Sequence, residues 1–209
     1  MDEIVKQAIA KWPNVPHCYG WLALDARGAW RMRDERAQAN KLPGERIVNT
    51  ALLGFINRNY THDEQGRWYF QNGPQRVYIN LEATPYVVRT DPQQGFVLQT
   101  GAALGQIDSA WMNEDGTLIL QSGDIVAQVD DRDMAQCLGL LRMGETGELA
   151  ASDEELLDWL VETAESPRPL HFRDGERRLP VQRIARAGLA AQCGFVSVPK
   201  PDPSQISDK

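Results

Sequence analysis

The sequence predicts an α+β fold: antiparallel sheets made from repeated β-hairpins, with helices packed against them. The first observation is a recurring tetrad. Asp25-Ala-Arg-Gly28, Asp63-Glu-Gln-Gly66 and Asn113-Glu-Asp-Gly116 each sit between short strand-like runs, with large apolar residues two and four positions after the glycine. A leading Asp or Asn can accept hydrogen bonds from amides just downstream, and Gly at the fourth position tolerates the left-handed backbone of a type I turn with a G1 bulge. The second observation is helical periodicity between these hairpins.

In chain order, Ile4, Val5, Ala8, Ile9 and Trp12 form one apolar stripe of a short helix that Pro13 ends. The first hairpin follows, from Trp21 to Arg33. Pro43-Gly44 breaks the chain before a helix marked by Ile47, Val48, Ala51, Leu52, Phe55 and Ile56. After the second hairpin, Asn72-Gly73-Pro74 turns into a strand over Val77–Leu81, and strands at Tyr86–Arg89 and Phe96–Gln99 continue the sheet. Beyond the third hairpin, Asp124–Val129 reads as a strand and Asp131–Leu141 as a helix with Asp131 at its N-cap. Ser152-Asp-Glu-Glu155 is a capping box whose helix carries Leu156, Leu157, Leu160 and Val161 and stops at Ser166-Pro167. Arginine-rich strands around Asp174-Gly175 and a short helix over Ile184–Gln192 complete the chain. The glycines of these hairpins are 38, 50 and 59 residues apart, too irregular for a solenoid. A soft boundary at Gly101–Gly105 suggests an α+β domain over 1–104, a second over 105–198, and a disordered Pro-rich tail over 199–209.

Composition narrows the function classes. The formal charge of −7 argues against a dedicated nucleic-acid binder, which carries a basic domain. No apolar run approaches the roughly 18 residues of a membrane span, and Met1-Asp2-Glu3 is acidic where a leader is basic, so a cytoplasmic protein with no membrane partner is expected. Cys18, Cys137 and Cys193 are scattered without C-x-x-C spacing, which suggests neither disulfides nor a metal clip. Charge is uneven: residues 108–165 hold two basic against fifteen acidic residues, while residues 167–186 hold six arginines against two acids.

The runs Pro16-His17-Cys18-Tyr19-Gly20-Trp21, Met32-Arg33-Asp34 and Tyr69-Phe70-Gln71-Asn72-Gly73-Pro74-Gln75-Arg76-Val77-Tyr78 resemble an uncharacterised proteobacterial family of unknown function, over most of the chain. More distantly, the order of hairpin, apolar helix, Gly66-Arg67-Trp68 hairpin and the Ala83-Thr84-Pro85 step is similar to a second uncharacterised bacterial family. That resemblance implies a fold of repeated strand and helix motifs and a speculative role in signalling. The first hairpin is spaced differently from that family, and the last third matches poorly. Neither resemblance supplies catalytic residues.

Candidate chemistry is sparse. His17 and Cys18 are neighbours on an extended segment and point to opposite sides, with no ligand-spaced partner. His62 belongs to a tight turn. Gly101-Ala-Ala-Leu-Gly105 lacks the Lys-Ser/Thr of a phosphate loop. No metal or cofactor is expected. Strand alternation points Trp30, Met32, Trp68, Phe70, Val77, Ile79 and Leu81 into the core. The opposite face then carries Arg31, Arg33, Arg67, Tyr69, Arg76, Tyr78 and Asn80, suited to a small anionic ligand or an acidic protein segment through guanidinium contacts. The expectation is a non-catalytic binding or regulatory protein using that face. The alternatives are a small hydrolase, with Arg31, Arg33 and Arg76 placing an anionic substrate and His17 or His62 moving protons, and a structural partner in an assembly.

Overall fold

The computed structural model describes residues 1–147, 149–161 and 168–202. The predicted helix stop at Ser166-Pro167 and the tail beyond residue 202 lie outside these residues. The chain divides into two compact units, one of residues 1–85 with 193–209 and one of residues 86–192. The predicted boundary at Gly101–Gly105 falls inside the second unit, because that stretch folds back on the preceding strand, with Val97 bridging Ala103 and Leu104 N donating to Phe96 O.

The first unit runs α1 (Glu3–Lys11), β1 (Cys18–Leu24), β2 (Trp30–Met32), α2 (Glu35–Ala39), β3 (Glu45–Arg46), α3 (Thr50–Arg58), β4 (Tyr60–His62), β5 (Trp68–Asn72) and β6 (Gln75–Leu81). Its sheet has the order β3-β2-β1-β6-β5-β4. Leu22, Leu24, Trp30, Trp68, Phe70, Ile79 and Leu81 are buried as alternation predicts. Trp30 meets Tyr60 edge-on at 5.0 Å, Tyr60 lies tilted against Trp68 at 4.8 Å, and Phe55 of α3 meets Phe70 edge-on at 5.3 Å. Helix α3 starts later than predicted: Asn49 caps it by accepting from Leu52 N, while Ile47 N still donates to Trp30 O in the sheet. Ile47 is therefore still bonded to the sheet, and the exposed Val48 lies between it and the cap.

The second unit contains β7 (Tyr86–Asp91), β8 (Gly95–Leu98), β9 (Ser109–Met112), β10 (Leu118–Ser122), β11 (Ile125–Val129), α4 (Met134–Leu138), β12 (Leu141–Met143), β13 (Leu149–Ala150), α5 (Asp153–Val161), β14 (Leu170–Asp174), β15 (Arg177–Arg183) and α6 (Leu189–Gln192). The capping box is formed: Ser152 N donates to Glu155 Oε2 and Glu155 N to Ser152 Oγ. The predicted helix over 131–141 is instead a 3-10 turn at Asp131–Asp133 followed by the short α4, and Leu141 starts a strand. Its cap is Asp130, not Asp131: the Asp130 carboxylate accepts from Arg132 N.

The α+β class holds, but both sheets are mixed. Strands β1 and β6, β11 and β7, and β15 and β9 pair in parallel. Hairpin chemistry fixes only the antiparallel neighbours of a strand; its partner on the other side is chosen by tertiary packing.

The hairpins belong to a duplicated scaffold. The order β2-β1-β6-β5-β4 in the first unit recurs as β8-β7-β11-β10-β9 in the second. Register repeats as well. Leu22 pairs with Met32 and Ile79, while Val88 pairs with Leu98 and Val129. Phe70 pairs with Tyr60 and Val77, and Leu120, 50 residues on, pairs with Ala110 and Ala127. Gln71 Nε2 caps Gly73 O just as Gln121 Nε2 caps Gly123 O. A shift of 66 residues thus maps the first hairpin of one unit onto the other, and a shift of 50 maps the three-stranded meander.

Candidate functional site

The predicted face is assembled by the Asp/Asn-x-x-Gly turns. In each, the leading side chain's Oδ1 accepts from the amides two and four residues on: Arg27 and Ala29 on Asp25, Gln65 and Arg67 on Asp63, Asp115 and Thr117 on Asn113. The glycines have φ of 76°, 73° and 76°. An Asp leaves its second oxygen free for a cation, whereas the Asn amide nitrogen cannot accept. Arg31 accordingly donates to Asp25 Oδ2 at 2.8 Å, and Arg67 to Asp63 Oδ2 at 2.8 Å. Two of the predicted arginines are therefore held by the hairpin turns that precede them.

The centre of the face is buried. Tyr69 and Tyr78 are 6% and 1% exposed. A two-residue register shift in β1 between Cys18 and Leu22, passing through Gly20 at φ 81°, brings Tyr19 onto this side of the sheet. Tyr19 stacks on Tyr78 at 4.6 Å, and burial, with Tyr78 beside it, pushes its phenol up to about 12. His17 meets the same ring edge-on. Arg67 lies over it at 5.0 Å and reaches on to Asp202. Met32, predicted in the core, is 44% exposed at the last position of the three-residue β2.

Two separate grooves flank this aromatic centre. One, of about 400 Å³, is lined by His62, Asp63, Gln65, Arg67, Tyr69 and Arg76. Arg76 lies 4.6 Å over the Tyr69 ring. Tyr78 OH donates to Asp63 Oδ2 at 3.0 Å. Burial alone would raise the Asp63 carboxyl, but the bonds from Arg67 and Tyr78 outweigh it and hold it below the ordinary range. Asp63, Glu64 and Asp202 already balance the two arginines here. Tyr78→Phe leaves that buried carboxylate one donor short and is expected to lower unfolding stability by about 1.5 kcal/mol, read from urea midpoints; an unchanged midpoint would rule out a stabilising role for the hydroxyl.

The other groove, of about 340 Å³, is lined by Asp25, Arg31, Arg33, Lys41, Asn80 and Glu82, with Ala23 at its floor. Among the described residues Arg33 donates only to the carbonyls of Leu42 and Gly20, and neither Arg33 nor Lys41 pairs with a carboxylate. Lys41 was not legible in the sequence. It follows α2, whose five residues are too few for periodicity to reveal. Asn40 caps α2, and the next bonds, Lys41 N to Gln38 O and Leu42 N to Ala37 O, form a Schellman motif. Lys41, at φ 54°, thus holds the left-handed position that glycine normally fills, and is the one non-glycine with positive φ among the described residues.

The structure therefore splits the seven predicted residues. Arg67, Tyr69, Arg76 and Tyr78 gather around Asp63, while Arg31, Arg33 and Asn80 gather around Asp25. The grouping a hydrolase would need, a histidine with Arg31, Arg33 and Arg76, does not form: His62 lies with Arg67 and Arg76 only. Burial pushes His17 down, with the charges of Arg76 and Arg67 adding to it, and pushes the Cys18 thiol up, so neither is an activated pair.

A family model described as "Protein of unknown function (DUF2946)" matches residues 1–200. The chain belongs to that family. No curated protein matches it. Among solved structures it is similar to a DUF1285 family protein from Silicibacter pomeroyi DSS-3, at 14% identity over 87% of this chain and 96% of that one, with a TM-score of 0.46. It is also similar to a DUF1285 family protein from Shewanella baltica OS155, at 9% identity over 56% and 88%, with a TM-score of 0.39. No helix among the described residues is long and apolar enough to cross a membrane.

Proposed function

We propose that this family member is a non-catalytic binding protein that takes an anionic group into the Asp25 groove. Three cations face two carboxylates there, and both carboxylates are engaged: Asp25 by Arg31 and its own turn, Glu82 by Ala26 N. Arg33 and Lys41 remain to receive an anion, and the Asn80 amide can donate beside them. The lining holds no histidine, cysteine or serine that would act as base or nucleophile.

The observation that carries the reading is Lys41. A side chain in the left-handed region costs about 1 kcal/mol relative to glycine, so a lysine there is retained against local backbone preference, as residues at binding sites often are. Lys41→Gly is expected to leave stability unchanged or raise it by up to about 1 kcal/mol. It should weaken anion binding about tenfold, the scale of one lost charge-assisted hydrogen bond. Calorimetric titration with inorganic phosphate and with citrate, on wild type, Lys41→Gly and Arg33→Ala, tests this. Wild-type binding that both substitutions weaken supports the groove; equal affinities across the three proteins, or no binding to any, removes it.

A further inference from the structure

The arginine-rich run over residues 167–186 takes no part in either groove, and the second unit sorts it into two sets. Arg168 lies 3.5 Å from Glu155 Oε1, Arg177 Nη1 donates to Ile107 O at 2.9 Å, Arg183 covers the Trp159 ring at 4.5 Å, and Arg186 lies 3.4 Å from Asp115 Oδ2. These four are engaged by groups of their own unit. Arg173 and Arg178 make up the second set, and the register of β14 and β15 places them directly opposite each other.

Alternation fixes which way they point. Leu141, Leu170 and Phe172 are turned into the core, so Arg142, His171, Arg173 and Arg178 lie on the outer face of the same strands. Arg142 and His171 form one cross-strand row, and Arg173 and Arg178 the next, two residues along β14 and about 7 Å away. His171 is packed under Gly147, where a Cβ would lie 2.9 Å from the ring Cγ, whereas Arg173 and Arg178 are exposed. Among the described residues the Arg142 guanidinium donates to the carbonyls of Gly139 and Leu141, that of Arg173 has no bonded partner, and neither pairs with a carboxylate. Arg178 donates to Thr146 O at 2.8 Å. The nearby Glu145 and Glu176 are exposed in the turns at the strand ends. Like charges directly opposite on an antiparallel pair repel across about 5 Å. The native register therefore holds a repulsion that a bound anion would convert into charge-assisted hydrogen bonds.

We propose that this outer face of β12, β14 and β15 is a second anion site, sharing no residue with the Asp25 groove, and that it takes a ligand bearing a chain of phosphate groups. Two cationic rows call for negative charge at two points, and the guanidinium fork matches phosphate oxygens. The other outward positions, Ala150 and Pro180, offer no large apolar anchor to a protein partner. Phe172, the one phenyl ring of these strands, is buried, so a nucleic-acid base finds nothing there to stack on.

Calorimetric titration of the full chain carrying Arg33→Ala, which weakens the Asp25 groove, tests this with inorganic phosphate and with tripolyphosphate. Tripolyphosphate is expected to bind at least tenfold more tightly than phosphate. Arg173→Ala or Arg142→Ala should each weaken it about tenfold, the scale of one lost charge-assisted contact. Arg186→Ala removes the same charge from the same run but not from this face, and should change the affinity less than twofold. Folding is checked by urea midpoints: Arg173→Ala relieves a repulsion and should not lower the midpoint, and tripolyphosphate should raise that of the parent but not that of the variant. Cosedimentation with phosphatidylcholine vesicles containing phosphatidylinositol bisphosphate separates the sources. Retention that tripolyphosphate competes away marks a lipid headgroup and no retention a soluble polyphosphate, and either supports the site once tripolyphosphate binds. Equal binding of phosphate and tripolyphosphate, binding of neither, or an Arg186→Ala effect as large as that of Arg173→Ala overturns it, and none of these outcomes bears on the Asp25 groove.

Discussion

Gly66→Ala is expected to lower unfolding stability by more than about 3 kcal/mol, well beyond what a left-handed glycine normally contributes. Gly66 has φ 73°, and a Cβ built on it would lie 2.1 Å from the carbonyl oxygen of Gly194 and 3.2 Å from Phe195 Cα. Those atoms are backbone and cannot swing aside. They are also fixed: Val196 N donates to Gly66 O at 2.9 Å, Arg67 bridges Val196, and Leu81 N donates to Ser197 O, so the returning segment is stitched to the sheet at three points. Gly116 provides the comparison, with φ 76° in the same turn but only the flexible Leu160 Cδ1 near its Cβ, at 3.5 Å. Gly116→Ala should lose about 1 kcal/mol, the backbone term alone. Urea unfolding of both variants separates the two contributions, and similar losses would show that contact with the 193–198 segment carries no weight.

Asp130→Asn should be the second severe substitution, lowering stability at neutral pH by about 2 kcal/mol, as expected when a buried carboxylate loses its charge-assisted hydrogen bonds to a half-exposed arginine. The Asp130 side chain is 0% exposed. It accepts from Arg132 N at 3.0 Å and from Arg132 Nε at 2.8 Å, with the Arg132 Nη2 on its other oxygen. Burial alone would raise its pKa, but the Arg132 bonds win and hold it at about 2, against an ordinary value of 3.8. The sign follows from the depressed folded value. Asp130 stabilises fully above pH 3.8 and loses that contribution as the pH falls through about 2. Urea midpoints measured from pH 7 to pH 2 should fall steeply for wild type at the acid end. The Asp130→Asn variant has no carboxylate to protonate at that position, so the gap between the two proteins should narrow toward pH 2. A gap that stays constant over the whole range would mean that the charge is not what stabilises.

How much was legible depended on the range of the interaction. The hairpin turns, the capping box at Ser152 and the strands at Val77–Leu81 and Tyr86–Arg89 were readable because their determinants lie within about four residues: an acceptor side chain, a glycine of positive φ, a period of two. The same locality misled where a pattern ran past its physical boundary. Ile47 carries helical spacing but is held in the sheet by Trp30, and the Asp131–Leu141 stretch breaks because Leu141 pairs with Phe172.

By itself the sequence determined the α+β class, the repeated turns, and the gathering of arginines and tyrosines on one face of the first sheet. Only the tertiary structure decided what that face is. Its tyrosines are covered because the shift at Gly20 turns Tyr19 over Tyr78. Arg31 and Arg67 are taken up by aspartates of their own turns, while among the described residues Arg33 is without a carboxylate and is joined by Lys41 from a helix end too short to read. Parallel neighbours and the correspondence of the two units were equally hidden. Each depends on residues tens of positions apart meeting in space, and such pairing leaves no periodic trace along the chain.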